Sequence, residues 1–385
     1  MSDKQHRFRR FCAWVVGIVF TGSGALKLMD PTGAGLVMDE YFKFLHLGFL
    51  SVLSKPAGIA FALAETVTGI ALVTGVWRKL TAVACSLLMA LFTILTILLV
   101  AFNPEMDCGC FGEITHLTHW QSLLKNIVID FLLVIAFVPA KNLGTPKKKK
   151  YVTFVTVTAA MVAFLVYSLA HLPLKDFTDY APGKKLLSAL DENENVMFKA
   201  SFVYEKNGMR KSFTLEEELP DSSWTFIRSE AIPNKDLKDM PVLPVTENGE
   251  ISDSLAAQGN VMIVSLYKPQ SLDAKEKAAA HDFLAQAEAA GFRPLLLSTT
   301  PEIALGEYQS DYRALIGLNR SNGGVTLIQD GIIIKKWSRI APPTFEEMEE
   351  LYQGEALDTL MDSESNGALA FQAFMLGCFA LLLLL

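Results

Sequence analysis

Cysteine is scarce in this chain, with five in 385 residues, too few for a disulfide-built scaffold. Charge is scarce too. Only 19% of residues are Asp, Glu, Lys or Arg, against 51% hydrophobic, and the mean hydropathy is +0.31. That balance excludes a disordered chain and an ordinary soluble enzyme. There is no glycine-rich phosphate loop, no H-E-x-x-H and no nucleophile elbow. No basic stripe with interleaved aromatics appears, which argues against a nucleic-acid partner. The basic start (Lys4, Arg7, Arg9, Arg10) is followed by an apolar run without a small-x-small site, so a cleavable signal is not expected.

What charge there is divides unevenly. Residues 173–366 hold 19 Lys/Arg against 32 Asp/Glu, and the rest of the chain has a net charge of +6. A basic apolar part joined to an acidic mixed part reads as a membrane section plus a water-facing domain. Six stretches, 11–29, 57–76, 80–102, 123–140, 151–172 and 367–385, approach the roughly 20 apolar residues that a span requires. Eleven basic residues fall in the N-terminal tail, at Arg78-Lys79, and at Lys141 and Lys147 to Lys150. Those segments share one side if every span crosses, and the positive-inside rule makes that side cytoplasmic. The loop 103–122 and residues 173–366 then face outward, into the periplasm of a bacterium with an inner membrane. Residues 33–54 include an apolar run, Tyr41 to Leu50, too short to span, which reads as an interfacial or re-entrant helix on the outer face.

Asn103-Pro104-Glu105-Met106-Asp107-Cys108-Gly109-Cys110-Phe111-Gly112 is the stretch richest in chemistry. Two thiols one glycine apart can close a small ring, and the glycine tolerates the backbone angles such a ring demands. Strained disulfides are the more easily reduced ones, which suits an exchanging pair, Cys108 and Cys110. Two other readings stand beside it. One is a structural staple of the loop. The other is a zinc site formed with His116 and His119, although C-x-C is tighter than the usual finger spacing. Cys12, Cys85 and Cys378 lie inside apolar spans and read as small hydrophobes.

Four ionisable residues fall within spans: Lys27, Glu65, Lys125 and Asp130. In hydrocarbon such groups must pair, hydrate or sit near an end. Glu65 or Asp130 can pair with Lys27 or Lys125 and lock the bundle. Alternatively the four shape a polar interior that passes protons or holds a quinone head group. No bound cofactor is evident in the residues, and a bilayer quinone is the expected electron acceptor if the thiols pass electrons on.

The set Asp107 to Gly112, Leu117-Thr118-His119-Trp120-Gln121 and Lys125-Asn126, together with Gly22-Ser23-Gly24-Ala25-Leu26-Lys27-Leu28 and Asp30-Pro31, resembles the DoxX-like superfamily. The similarity is to the branch containing the methylamine utilisation protein MauE. Glu65 and Gly69 also sit where that family places them. The resemblance covers residues 8–140 and implies a four-helix membrane unit linked to thiol–disulfide or quinone-coupled chemistry. In the MauE branch it implies help with disulfide formation in a partner protein.

Beyond a basic linker (141–150) and a fifth span (151–172), residues 173–254 read as a hairpin across Asn207-Gly208 followed by a proline-rich loop region. From 255 to 361 the expected order is β-α-β-α-β-β-α: strands at 261–266 and 294–298, helices at 274–290 and 301–317, a hairpin across Asp330-Gly331, and a helix at 344–361. That order resembles the thioredoxin fold. The segment Tyr267 to Leu272 lacks cysteine, and Asn322-Gly323-Gly324 stands where that family has a cis-proline. The resemblance therefore implies a degenerate module that docks a protein partner. Its one histidine, His281, falls in a predicted helix and is read as a solvated residue. The expected class is multi-domain: an all-α transmembrane bundle carrying an α/β extracytoplasmic domain.

Overall fold

In the computed structural model, residues 1–177 and 364–385 cluster as one compact unit and residues 178–363 as another. The structure describes residues 3–104, 106, 108–113, 117–138, 146–189, 198–206, 209–214, 224–233, 240–247, 249–300, 308–354, 359–360, 369–370 and 372–377.

The first unit is helical. Its helices are α1 (Asp3–Met29), α2 (Pro31–Phe44), α3 (Ser54–Thr74), α4 (Arg78–Phe102), α5 (His119–Phe137) and α6 (Lys148–Ala170), with a short strand β1 (Cys110–Glu113). Five helical segments among the described residues are long and apolar enough to cross a membrane: Lys4–Met29, Gly48–Thr74, Arg78–Phe102, His119–Phe137 and Lys148–Ala170. The chain is therefore a multi-pass membrane protein. The expected sixth span, 367–385, lies mostly outside the described residues. Within it 372–377 is helical, and Phe374 stacks on Phe164 of α6 at 4.4 Å.

Two helices begin earlier than their apolar runs. α1 starts at Asp3 rather than near residue 11, because its basic first turns find acceptors. Arg9 donates to the carbonyl of Ala136 (3.2 Å), and Arg10 donates to those of Leu72 (2.7 Å) and Val73. These carbonyls belong to the last turns of α5 and α3, where no intrahelical donor is left. α6 likewise takes in Lys148 to Lys150.

α2 has 14 residues, about 21 Å of helix, too short for a hydrocarbon core of about 30 Å. It packs on α3, and the 3-10 turn Gly48–Leu53 after it leaves Phe49 and Val52 exposed. α1 packs backbone against backbone on α3. A Cβ at Gly69 would lie 2.5 Å from the Thr21 backbone nitrogen and 2.8 Å from the Gly17 carbonyl oxygen. Small residues at such a crossing let two backbones touch, which drives helix association where lipid gives no hydrophobic force.

The second unit holds two sheets. β2 (Phe198–Lys206), β3 (Met209–Thr214) and β4 (Thr225–Pro233) form an antiparallel sheet ordered β3-β2-β4. The register pairs Lys206 with Met209, a hairpin across the expected Asn207-Gly208, whose own residues lie outside those described. β4 falls in the stretch whose prolines suggest a loop. Pro233 ends the strand opposite Phe198, a terminal position that proline tolerates.

The other sheet has seven strands: β5 (Thr246–Glu247), β6 (Glu250–Ile251), β7 (Asn260–Leu266), β8 (Arg293–Ser298), β9 (Tyr308–Gln309), β10 (Gly324–Gln329) and β11 (Ile332–Trp337), in the order β11-β10-β7-β8-β9-β5-β6. β7 runs parallel to β8 and antiparallel to β10, and β10 antiparallel to β11. Its helices are α7 (Ala274–Ala289), α8 (Tyr312–Leu318) and α9 (Phe345–Gln353). β5 and β6, which precede residue 255, are part of this sheet. The helix expected over 301–317 is shorter. It starts at Tyr312, capped by Asp311, and residues 301–307 lie outside those described. The free edge of β11 is covered by residues 183–186, which exchange backbone hydrogen bonds with Gly331 and Ile333.

Asn319, in the sequon Asn319-Arg320-Ser321, is fully buried. Its amide donates to the carbonyls of Val325 (2.9 Å) and Trp337 (3.1 Å), so it is a core residue joining α8 to the sheet.

Gly69→Leu is expected to separate α1 from α3, because a branched side chain has no room at that crossing. The full chain in detergent should lose at least about 2 kcal/mol of stability, read as a fall in its thermal midpoint. An unchanged midpoint would show that the crossing is loose.

Candidate functional site

The cysteine loop leaves the C-terminal end of α4. Asn103 takes a left-handed backbone (φ 43°) and its N–H closes on Leu99, ending the helix. α5 begins with a capping box. The Thr118 hydroxyl accepts from the Gln121 N–H, and the Gln121 side chain accepts from the Thr118 N–H. The Leu117 to Gln121 segment noted in the sequence is therefore a helix start. Between the two helices, Gly109 has φ of 59°, and a Cβ there would run into Val37 of α2. Only glycine meets both demands.

Three side chains from three helices hold this loop by its carbonyls. Ser23 of α1 donates to the Cys110 carbonyl at 2.5 Å. Tyr41 of α2 donates to the Cys108 carbonyl at 2.9 Å. His119 of α5 donates through Nε2 to the Met106 carbonyl at 3.0 Å. Neither cysteine is joined in a disulfide; Cys108 is buried and Cys110 half-buried. Burial pushes the Tyr41 hydroxyl well above the usual phenol range, and the neighbouring Cys110 and Cys108 push the same way. Tyr41 therefore stays protonated and remains a donor to the loop.

Ser23 ties the loop to the membrane interior. Lys27, one turn further along α1, donates to the Ser23 hydroxyl at 3.1 Å and to Glu65 of α3 at 2.6 Å. All donors point in one direction, from the Lys27 ammonium through the Ser23 hydroxyl to the Cys110 carbonyl, and such chains polarise cooperatively. Lys27 also lies 5.8 Å from the centre of the Phe92 ring. A cleft beside the loop is lined by Lys27, Asp30, Val37, Gly112, Lys175 and Phe177.

Asp130 belongs to a separate polar group between α4 and α5. Asp130 accepts from the Thr93 hydroxyl at 2.8 Å, and Asn126 donates to Thr96 at 3.2 Å. Lys125 is half-buried on α5. Of the pairings open to the sequence, the structure makes Lys27 with Glu65. Cys12 and Cys85 are buried among Leu72, Met89 and Ile129. Cys378 and His116 lie outside the described residues. Among the described residues no group of three or more His, Cys, Asp or Glu is placed to hold a metal ion. Ser23 and Tyr41 were given no role by the sequence. The only signal for Ser23 is its i, i+4 spacing from Lys27, and for Tyr41 a lone hydroxyl in an apolar run.

In the second unit, the loop after β7 is joined to the loop before β10. Asn322 accepts from the Lys268 N–H (3.0 Å) and donates to the Lys268 carbonyl (2.9 Å) and to Ser271 (3.1 Å). Tyr267 donates to the Arg320 carbonyl.

Residues 5–139 match the model of a family described as methylamine utilisation protein MauE, so the cysteine loop and the Lys27–Glu65 pair lie within a MauE family domain. Residues 198–233, the three-stranded sheet, match a domain of unknown function (DUF8463). The comparisons with curated proteins and with solved structures give no match.

Removing one member of the buried ion pair should cost more than removing both. Lys27→Met strands the Glu65 carboxylate and is expected to destabilise by about 3–5 kcal/mol. Lys27→Met with Glu65→Gln should recover much of that loss. Thermal midpoints of the two variants in detergent check this, and a double variant no better than the single one would show that the pair's mutual attraction is not what holds it.

Proposed function

We propose that this protein carries out thiol–disulfide exchange at the extracytoplasmic face of a bacterial inner membrane, through Cys108 and Cys110. The observation that carries the reading is the loop itself: two adjacent thiols on a glycine hinge, with both cysteine carbonyls gripped by side chains. A loop already pinned by Ser23, Tyr41 and His119 has little use for a structural staple. The pair is therefore read as an exchanging one.

The step balances as follows. A partner's two thiols reduce the Cys108–Cys110 disulfide, forming the partner's disulfide and leaving two thiols here. A bilayer quinone then takes two electrons and two protons from that dithiol, becoming a quinol and restoring the Cys108–Cys110 disulfide. The quinone is assigned by chemical class, as the oxidant that dissolves in the membrane. The thiolate is the attacking species, so one cysteine of the pair must lose its proton first. Help with disulfide formation in a partner is what the resemblance to the MauE branch implies, and residues 5–139 match that family.

The second unit, on this reading, is a thioredoxin-like module that binds the partner. Support comes from the strand order β8-β7-β10-β11, with β7 and β8 parallel and the other neighbours antiparallel, flanked by α7, α8 and α9. With no cysteine between Tyr267 and Leu272, and Asn322 bonded to Lys268, the module has no thiol chemistry at that position. The positive-inside count supports placing residues 173–366 in the periplasm.

Acid quench and mass-tag alkylation in intact cells test the exchange. The expected result is a pair that reduces with dithiothreitol, re-oxidises on its removal, and stalls as the dithiol when quinone is depleted. A pair that stays oxidised through mild reductant would instead make it a staple and the protein a scaffold. Freeing the loop should also speed thiol capture. Tyr41→Phe and Ser23→Ala each remove a hydrogen bond of about 1 kcal/mol, so an impermeant maleimide should label Cys108 and Cys110 about fivefold faster in each variant. Equal labelling rates would mean the clamps do not restrain the loop.

A further inference from the structure

At the opposite end of the membrane unit, we infer a binding site for the phosphate of an anionic phospholipid. The argument starts from uncompensated charge. Arg10 of α1 and Arg78 of α4 line one cleft with His6, Arg9 and Thr81, and no acidic residue is among the residues lining it. Arg10 donates to the carbonyls of Leu72 and Val73, and Arg78 donates to that of Gly75 (3.3 Å). Both guanidinium groups therefore serve the same helix end, the last turn of α3. A helix C-terminus carries roughly half a negative charge, against two full positive charges here.

The neighbouring helix start adds to the excess. α4 begins at Arg78 with Trp77 as its N-cap, and no side chain caps its first N–H groups. That end contributes roughly another half positive charge to the same cleft. Half-buried cations near hydrocarbon are stable when an anion completes them. A phosphodiester oxygen pair matches the forked geometry of a guanidinium.

A free phosphate would satisfy the same cations. The lipid is the source committed to here, because the helices that build the cleft turn apolar side chains outward at this end: Phe8 and Phe11 of α1 and Leu80 and Val83 of α4 are each more than half exposed. Acyl chains would cover that surface, and inorganic phosphate would not. The positive-inside count puts this end at the cytoplasmic leaflet, where anionic lipids attract basic segments.

The test uses the full chain purified in detergent and analysed by native mass spectrometry with added lipid. Phosphatidylglycerol should be retained about tenfold better than phosphatidylcholine. Arg78→Gln should bring the two close to equality, while Lys79→Gln should leave the preference intact, because Lys79 is exposed and outside the cleft. His6→Glu is the second variant: His6 is exposed, so the fold should tolerate a carboxylate there, and the preference should again fall severalfold. Equal losses from Lys79→Gln and Arg78→Gln would overturn the site in favour of diffuse surface charge. No preference between the lipids, with millimolar inorganic phosphate bound instead, would overturn the lipid assignment. Retention of the preference in both Arg78→Gln and His6→Glu would show that the cleft is not the site.

Discussion

A carboxylate near the middle of an apolar helix is the constraint on which the membrane unit turns. Glu65 is buried in α3 and meets Lys27 of α1 at 2.6 Å. Ionised and unpaired there, it would cost several kcal/mol. The pair therefore fixes how α1 and α3 lie against each other. The glycine crossing at Gly17 and Gly69 serves the same end, since only close backbones bring the two charges within reach. Lys27 then has donor capacity to spare, and it goes to Ser23 and through it to the cysteine loop. The position of the thiol loop is in this way a consequence of how an intramembrane charge is neutralised.

The same rule accounts for the far end of the bundle. Helices stop at the membrane surface and leave carbonyls without donors. Arg9, Arg10 and Arg78 take those of α5 and α3, as Ser23, Tyr41 and His119 take those of the cysteine loop. α1 supplies side chains at both ends.

Much of this architecture was legible in the sequence, and the illegible parts share a cause. Long apolar runs announced the spans, continuous runs announced β7 and β8, and Asp330-Gly331 announced the β10–β11 turn, where both residues have positive φ. The helix starts were misjudged where basic residues are helical, because the carbonyls that hold Arg9 and Arg10 come from helices far along the chain. The two-residue strands β5, β6 and β9 are too short to show a period. β4 was hidden by the prolines around it. At the candidate site the four charged positions were visible as anomalies in hydrocarbon, but their partners were not. Ser23 and Tyr41 reach carbonyls 87 and 67 residues away. A hydroxyl that binds a distant carbonyl leaves no mark on local composition.

The second unit applies side-chain-to-backbone bonding to a different end. In the membrane unit these bonds hold a loop that carries two cysteines. Around β7 and β10 they close a loop that has no sulfur at all. Asn322 engages both the N–H and the carbonyl of Lys268, so those backbone groups are already paired. A partner that binds this unit by strand addition must therefore use another edge or displace Asn322. The edge of β11 is already covered by residues 183–186. The opposite edge ends in β6, a two-residue strand that offers little ladder to extend.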